Sequence, residues 1–179
     1  MDFFVSALAW LFDPSNYVSG SQTPLPINDR IVEHLTYTVI AVALSSLIAL
    51  PLGFFIGHTG RGRQFVIAVT GGARALPTVG LLMAFSVIFG ALFSFTVSGY
   101  AAAFAALTIL AIPSSLAGAY AGIESVDRLT VDAARATGMS EWQILTKVEI
   151  PLALPLIIGG IRASTLQVIA TAVIASYIG

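Results

Sequence analysis

The sequence predicts an all-α transmembrane protein, a bundle of membrane-spanning helices. Of its 179 residues, 57% are hydrophobic and only 9% are charged. A soluble domain of this size cannot cover so much apolar surface, so the composition favours a membrane protein. Residues 35–57 and 75–123 contain no Asp, Glu, Lys or Arg, and uninterrupted apolar runs of about 20 residues or more are typical of helices that cross a bilayer.

The first 34 residues predict an extracellular segment with a short helix that lies in the membrane interface. Residues 3–12 are almost all apolar, but a helix of this length measures only about 15 Å, whereas the hydrocarbon core is about 30 Å thick. Trp10 suits the boundary between lipid and water. Asp2 precedes the apolar run and no basic residue does, so a cleaved signal peptide is not expected.

Four spans are predicted from the apolar runs. The run at residues 75–123 is too long for one crossing, and its glycines divide it between two spans. The last span begins at Pro151, because proline suits the first turn of a helix, where its missing N–H would have no partner. The predicted spans cover residues 35–57, 65–90, 99–122 and 151–178.

The basic residues predict how these spans are oriented. The turn after the first span contains Arg61 and Arg63, and the loop at residues 123–150 contains three further basic residues, whereas residues 91–98 carry no charge. Lys and Arg are retained on the cytoplasmic side of membranes. We therefore expect both basic segments to be cytoplasmic and the N-terminus to be outside.

The loop at residues 123–150 predicts two short helices joined by a tight turn. Gly138 follows a run of helix-forming residues and suits the left-handed conformation that often ends a helix. Ser140 and Gln143 have the spacing of a capping box at the start of the second helix. Pro151 is expected to end that helix, because proline has no N–H to continue it, and the helix is expected to lead directly into the last span.

The first of these helices has features that suit contact with another protein. Asp132 is expected near its N-terminus, where the helix dipole favours an acid. Ala133 and Ala134 give the helix a face with little bulk, which allows another protein surface to approach closely. The alternative is a solvated loop between spans that has no partner.

The spacing of residues in this loop resembles the signature of a known family. Asp132-Ala133-Ala134, Gly138 and Val148-Glu149-Ile150-Pro151 match Glu-Ala-Ala, three residues, Gly, nine residues and Ile-x-Leu-Pro, with conservative departures at Asp132, Val148 and Ile150. This is the signature of the permeases, the membrane subunits of binding-protein-dependent ATP-binding-cassette importers of the type I fold. The resemblance extends from about residue 34 to residue 179, and it implies a fifth span beyond that residue.

Two other segments resemble particular branches of this family. Residues 113–127, and especially 120–127, are similar to the stretch before the signature in the osmoprotectant branch, whose members import glycine betaine, choline or carnitine. Residues 74–77, Arg-Ala-Leu-Pro, resemble an Arg-x-x-Pro segment of small five-span permeases. Permeases of importers for methionine or other amino acids share much of the same outline, so they remain an alternative.

The resemblance implies that the loop at residues 123–150 is a coupling helix, which docks on a cytoplasmic ATPase and moves the spans when the ATPase pair closes. The chain has no Gly-x-x-x-x-Gly-Lys phosphate loop, so ATP and Mg would be bound by the partner ATPase. The chain itself would hold no cofactor and would not be an enzyme. The residues expected to couple to the ATPase are Asp132, Ala133, Ala134, Gly138, Glu141 and Pro151.

The resemblance also implies the partners and the location of the chain. The expected partners are two copies of the ATP-binding subunit, an extracellular or periplasmic substrate-binding protein, a second permease subunit in a homodimer, and membrane lipid. No nucleic acid is expected. The expected location is the plasma membrane of a bacterium or an archaeon.

Polar residues and prolines at membrane depth are the candidates for a translocation path. A charged side chain within a span is costly, which makes it a functional candidate by default. The alternatives are that Arg74 extends to the interface, that Arg162 pairs with backbone carbonyls, and that the hydroxyls satisfy backbone groups freed by the prolines. The candidates are Arg74, Pro77, Thr78, Pro113, Ser114 and Arg162.

Two other classes of protein compete with a permease. A secondary transporter or channel subunit suits Arg74 and the broken spans, but such transporters usually carry carboxylates at depth, and the four predicted spans contain no Asp or Glu. An intramembrane hydrolase would need a base near Ser114 or Ser164. Both histidines, His34 and His58, are instead interpreted as interfacial residues at the ends of spans. The chain has no cysteine, which excludes disulfides and cysteine metal sites.

Overall fold

The computed structural model describes residues 2–18, 26–72, 77–92 and 95–175, and every regular element within these ranges is helical. The prediction of an all-α protein is therefore confirmed. The helices are α1 (Asp2–Leu11), α2 (Ile27–Thr59), α3 (Arg63–Gly72), α4 (Thr78–Leu92), α5 (Phe95–Glu124), α6 (Arg128–Ala136), α7 (Glu141–Ile144) and α8 (Ile150–Ala175), with a 3-10 turn at Pro14–Tyr17 and a π turn at Leu145–Glu149.

Three helices in the described ranges are long and apolar enough to cross a membrane: α2, most of α5, and the helix that runs from α7 through α8. Helix α2 begins at Ile27 and not at residue 35, which marks only the start of the charge-free run. Pro26 occupies its N-cap, where the missing N–H of proline needs no partner. The predicted boundary between the extracellular segment and the first span therefore falls inside a helix.

The predicted span at residues 65–90 corresponds to two helices, α3 and α4. Helix α3 has 10 residues and α4 has 15, so each is shorter than a full crossing of about 20 residues. Pro77 belongs to neither helix, since a proline interrupts helical hydrogen bonding. Residues 73–76, with the candidate path residue Arg74, lie outside the described residues. A second span built from α3 and α4 stays a prediction.

The helix of the loop does not end at Pro151, contrary to the prediction. Helix α7, the π turn and α8 follow one another without a break. The Ile150 N–H donates to the carbonyl of Leu145, five residues earlier, as in a π helix. This wider turn accommodates a proline, which has no N–H to offer to the carbonyl four residues before it. The loop therefore continues directly into the last span.

Helix α5 lies between α2 and α8 and packs against both. Glycines allow the helices to approach closely, which is a common way of packing helices in membranes. A Cβ atom added to Gly53 of α2 would lie 2.5 Å from the Cβ of Ala119 in α5. On the other side, a Cβ added to Gly160 of α8 would lie 2.8 Å from the Cα of Gly118 in α5. Small residues therefore determine the separation of these three helices.

All residues of helix α1 are exposed. Its C-terminal end is fixed locally, because the Asn16 side-chain amide donates to the Trp10 carbonyl at 2.6 Å and the Tyr17 hydroxyl donates to the Leu11 carbonyl at 2.7 Å. An interfacial helix would have such an exposed apolar surface. The interfacial location of α1 stays a prediction.

Candidate functional site

The first helix of the interhelical loop (residues 123–150) begins at a side-chain cap. Asp127 is the N-cap of α6, and its carboxylate accepts a hydrogen bond from the Leu129 N–H at 3.0 Å. Such a cap satisfies an N–H that has no partner in the first helical turn. Asp132 lies in the middle of the nine-residue helix α6, so its predicted place near the N-terminus is wrong. The acid at this end of the helix is Asp127.

The turn after α6 has the geometry predicted from Gly138. This residue has a φ of 88°, a left-handed conformation that glycine adopts without steric cost. Its N–H donates to the Arg135 carbonyl at 3.0 Å, and the Met139 N–H donates to the Ala134 carbonyl at 3.3 Å. The two bonds form a Schellman motif, which satisfies carbonyls that the end of α6 would leave unpaired.

Helix α7 begins with the predicted capping box. The Gln143 N–H donates to the Ser140 hydroxyl oxygen at 3.4 Å, and the Ser140 N–H donates to the side-chain oxygen of Gln143 at 2.9 Å. The two bonds satisfy two N–H groups at the start of the helix reciprocally. The capping box is therefore confirmed, and the loop has defined hydrogen bonds at both sides of its turn.

The two loop helices share a small apolar core of their own. Val131 of α6 and Ile144 of α7 are buried, and Val126, Ala134 and Met139 pack with them. Residues three apart lie on the same face of a helix, so Ala134 follows Val131 into this core. Ala134 is therefore not part of an exposed face as predicted, whereas Ala133 is exposed.

Arg135 joins the two loop helices through charged hydrogen bonds. Its guanidinium donates to both carboxylate oxygens of Glu141, at 2.7 and 3.0 Å, and to Asp132 Oδ1 at 2.7 Å. The hydrogen bond from Arg135 lowers the pKa of Glu141 below its ordinary value, and the same bond raises the pKa of Arg135. Asp132 and Glu141, two residues predicted for ATPase coupling, therefore meet at one guanidinium.

His58 connects the loop to the membrane bundle from the last turn of α2. His58 Nε2 lies 3.3 Å from Glu141 Oε2, and His58 Nδ1 lies within hydrogen-bond distance of Glu149 Oε2. His58 was interpreted from the sequence as an interfacial residue, so this connection is an interaction that the sequence interpretation missed.

Glu149 is the only buried charged side chain among the described residues, with 2% of its surface exposed. A buried carboxyl group is costly unless it has a hydrogen-bond partner, and the partner here is His58. The sequence shows that Glu149 stands just before an apolar span and needs a polar partner, but it does not show which residue is that partner. Within the described ranges, no group of three His, Asp or Glu side chains is placed to bind a metal ion.

The candidate path residues do not form one cluster within the described part of the chain. Pro113 and Ser114 lie in α5 where it faces α8, and the Ser114 hydroxyl donates to Gln167 Oε1 at 3.1 Å. Pro77 and Thr78 lie at the start of α4, and no hydrogen bond between described residues links them to Ser114. Gln167 was not predicted, although an amide within an apolar span is a visible signal.

Arg162 lies on the side of α8 that points away from α5. The opposite side packs on α5 through Ala153, Ile157, Gly160, Ser164 and Val168, which are buried at helical spacing. Arg162 itself is exposed, and among the described residues it takes part in no hydrogen bond or ion pair. Pairing of Arg162 with backbone carbonyls therefore has no support in this part of the chain.

Three long apolar helices, and a segment between the last two that has its own caps and core, define the class: a multi-pass membrane protein. The chain belongs to the family of binding-protein-dependent transport system inner membrane components, because the family model matches residues 49–179. The matched range contains α5, the interhelical loop and α8. The family that the loop signature predicted is therefore confirmed.

Permease proteins from bacteria are similar to this chain over most of its length. It is 34% identical over 147 residues to the glycine betaine/carnitine/choline transport system permease protein OpuCB of Bacillus subtilis, with 82% of this chain and 64% of the relative covered. It is 33% identical over 150 residues to the choline transport system permease protein OpuBB of the same organism, with 84% and 66% covered. The carnitine transport permease protein OpuCB of Listeria monocytogenes is 34% identical over 147 residues, with 82% and 64% covered. The chain thus spans just under two thirds of the length of these relatives.

Proposed function

We propose that this chain is a membrane-spanning permease subunit of an ATP-driven importer and that it forms the translocation path for a small solute. The observation that carries the proposal is the folded interhelical loop, with the signature spacing, in a chain that belongs to this family. The relatives described above are named for transport of glycine betaine, carnitine or choline. We therefore propose an osmoprotectant of this kind as the solute.

The interhelical loop is the proposed docking site for a cytoplasmic ATPase. Leu129 of α6 and Trp142 of α7 are 77% and 72% exposed. Tryptophan is a frequent anchor at the centre of protein interfaces, which supports Trp142 as a contact of the ATPase. Asp132, Ala133 and Gly138 are exposed on the same loop. In this proposal the ATPase covers these residues, it binds the ATP and Mg, and the permease contributes neither cofactor nor catalysis.

Not all the predicted coupling residues need contact the ATPase directly. Ala134 lies in the core of the loop, and Glu141 is bound by Arg135. We assign to these two residues the task of keeping the loop in shape. Pro151 lies beyond the π turn and is exposed, so its proposed part is to shape the connection between the loop and α8.

The polar groups proposed for the path lie on two sides of α8: Ser114 and Gln167 where α8 packs on α5, and Arg162 on the side that points away from α5. Arg162 is an exposed cation in an otherwise apolar helix, and such a residue needs water or a polar partner at membrane depth. A second copy of the permease, arranged as a homodimer around an aqueous path, would supply both. Pro113, Ser114 and Gln167 are proposed for one part of this path, and Arg74, Pro77 and Thr78 stay candidates for it.

The remaining partners follow from the same proposal. A substrate-binding protein would deliver the solute from outside, two ATPase copies would act on the two permeases, and lipid would cover the apolar surface of α2. The interhelical loop would be cytoplasmic and the N-terminus would be outside. A permease for methionine or another amino acid is the alternative solute assignment, and a secondary transporter or channel subunit is the alternative mechanism.

The test is uptake into proteoliposomes that contain the permease with its ATPase and binding protein. We expect uptake of labelled glycine betaine, choline or carnitine that requires ATP inside the vesicles and the ATPase in the membrane. Uptake of methionine in place of these solutes would support the alternative solute. Uptake without the ATPase would contradict the proposed mechanism and support a secondary transporter or channel.

A further inference from the structure

One imidazole contacts both ends of the loop segment that precedes α8. Glu141 is the first residue of α7, and Glu149 is the last residue of the π turn. In a regular α-helix with 3.6 residues per turn, side chains at these two positions would point about 80° apart. The π turn is wound less tightly, which brings Glu149 closer to the side of Glu141. The π turn thereby explains how His58 reaches both carboxylates.

The two carboxylates that His58 contacts differ in their surroundings. Glu149 is buried, whereas the Glu141 side chain is 55% exposed and is also held by Arg135. Asp132 binds the same guanidinium. Asp132, Arg135, Glu141 and His58 thus form a continuous series of polar contacts from α6 through α7 to the last turn of α2. In the proposed orientation, this turn is the cytoplasmic end of α2.

We propose that His58 is a positioning residue that makes α2 move together with the interhelical loop. This inference rests on the proposed function, in which an ATPase moves the loop. Helices α5 and α8 are joined to the loop through the backbone, but α2 is not. Apolar contacts such as that of Phe54 with the cluster around Leu145 have no preferred direction, whereas the bonds to the imidazole fix the loop at one position against α2.

When the contacts of His58 with Glu141 and Glu149 are lost, ATP hydrolysis is expected to continue with less transport. Without the imidazole at position 58, the loop still docks on the ATPase through its own exposed face. Movement of the loop then acts directly on α5 and α8, and it reaches α2 only through the packing of α2 on these helices. ATP is hydrolysed, but fewer solute molecules cross the membrane for each ATP consumed.

The experiment measures solute transported per ATP hydrolysed, in proteoliposomes with the ATPase and the binding protein. His58→Gln removes the imidazole, His58→Arg replaces it with a side chain that has several hydrogen-bond donors, and His34→Gln at the other end of α2 is the matched control. We expect His58→Gln to retain the ATPase and to lower the ratio by about fivefold or more, in the range of typical coupling between sites. His58→Arg should recover most of the ratio, and His34→Gln should not change it.

A ratio for His58→Gln equal to that of the wild type would overturn the proposal, and so would a His58→Arg variant that is no better than His58→Gln. If His58→Gln does not assemble, Glu141→Gln decides, because it removes only the exposed half of the bridge. We expect this variant to lower the ratio by about twofold, as for a partly exposed ion pair, and an unchanged ratio would overturn the proposal. These outcomes differ from a failure of the proposed function, in which the wild type itself would show no ATP-dependent uptake.

Discussion

The interhelical loop and the membrane bundle are held together by different kinds of contact. In the loop, the positions of α6 and α7 depend on a side-chain cap, a glycine turn, a capping box and the bonds of Arg135. In the bundle, α5 approaches α2 and α8 through positions that have no side chain. The loop therefore depends on particular polar groups and the bundle depends on the absence of volume. Substitutions that add volume should therefore affect the bundle, and substitutions that remove a polar group should affect the loop.

The largest effect is expected from added volume in the bundle. A Cβ at Gly160 would lie 2.8 Å from the Gly118 Cα and 3.0 Å from the Ser114 carbonyl oxygen, and backbone atoms cannot move aside as a flexible side chain can. We expect Gly160→Leu to destabilise the protein by about 3 kcal/mol or more through overpacking. Gly159→Leu is the matched control, because a Cβ at Gly159 has nothing within 4 Å. Thermal unfolding in detergent checks this, and equal midpoints for the two variants would contradict close packing of α5 and α8.

The next effect concerns the exposed face of the loop. If Trp142 is an anchor for the ATPase, Trp142→Ala should weaken ATPase binding by about 2 kcal/mol, or about 30-fold, without changing the thermal stability of the permease. The other tryptophan, Trp10, is also exposed, but it is predicted on the opposite side of the membrane. Trp10→Ala should therefore bind the ATPase as the wild type does. Binding measured on permease in nanodiscs checks this, and the same affinity for both variants would exclude Trp142 as an anchor.

A somewhat smaller effect is expected at the turn of the loop. Gly138 has a φ of 88°, and a Cβ there would meet no other atom within 4 Å, so the cost of substitution is conformational. We expect Gly138→Val to leave membrane insertion intact, to destabilise the loop by about 1–2 kcal/mol, and to reduce co-purification of the ATPase. Gly138→Asn should cost less, because Asn adopts the left-handed conformation more readily. Hydrogen exchange of residues 125–149 checks this. Equal protection in both variants would show that the turn does not hold the loop.

Within the bundle, a polar contact should contribute less than packing does. The Ser115 hydroxyl donates to Ser164 Oγ at 3.0 Å, and both residues are fully buried. A double-mutant cycle with Ser115→Ala and Ser164→Ala should give a coupling of about 0.6 kcal/mol, the average for hydrogen bonds between membrane helices. Unfolding by titration with a denaturing detergent measures the coupling. A coupling as large as the cost of about 3 kcal/mol expected for Gly160→Leu would mean that polar contacts stabilise the bundle as much as close packing does, and the contrast with the loop would be lost.

The smallest effect is the pH dependence of the loop. The pKa of Glu141 is lowered in the folded protein by its hydrogen bond with Arg135, so the unfolded loop takes up a proton at Glu141 at higher pH than the folded loop does. The contribution of Glu141 is therefore complete above its ordinary pKa and is lost as the pH falls through its folded pKa. We expect protease cleavage of the loop to rise on acidification by more in the wild type than in Glu141→Gln. The same increase in both would contradict a role for this carboxylate.

The loop could be predicted in detail because its decisive contacts are local in sequence. Gly138 and the pair Ser140 and Gln143 interact with residues a few positions away, and the structure has each of them as predicted. The inward position of Ala134 was missed, because the side that a short helix buries depends on what it packs against. The prediction at Pro151 was wrong because the rule for proline applies to an α-helix, whereas the structure has a π turn at that place.

The contacts of the bundle were predicted less well, for a physical reason. Every face of a membrane helix is apolar, so no amphipathic pattern indicates which side packs on a neighbour. Apolar length therefore located α5 and α8, but it did not identify Gly118 as the partner of Gly160. The pair of His58 and Glu149 joins residues 91 positions apart, and single-sequence patterns do not report contacts at such separations.

The continuity of α7, the π turn and α8 has a mechanical consequence. Helix α8 has 26 residues, which correspond to a length of about 39 Å at 1.5 Å per residue, so a tilt of about 10° at one end displaces the other by about 7 Å. A force applied at Trp142 thus acts on a lever arm that extends through the bilayer. A small rotation on one side of the membrane is thereby amplified into a large sideways displacement on the other.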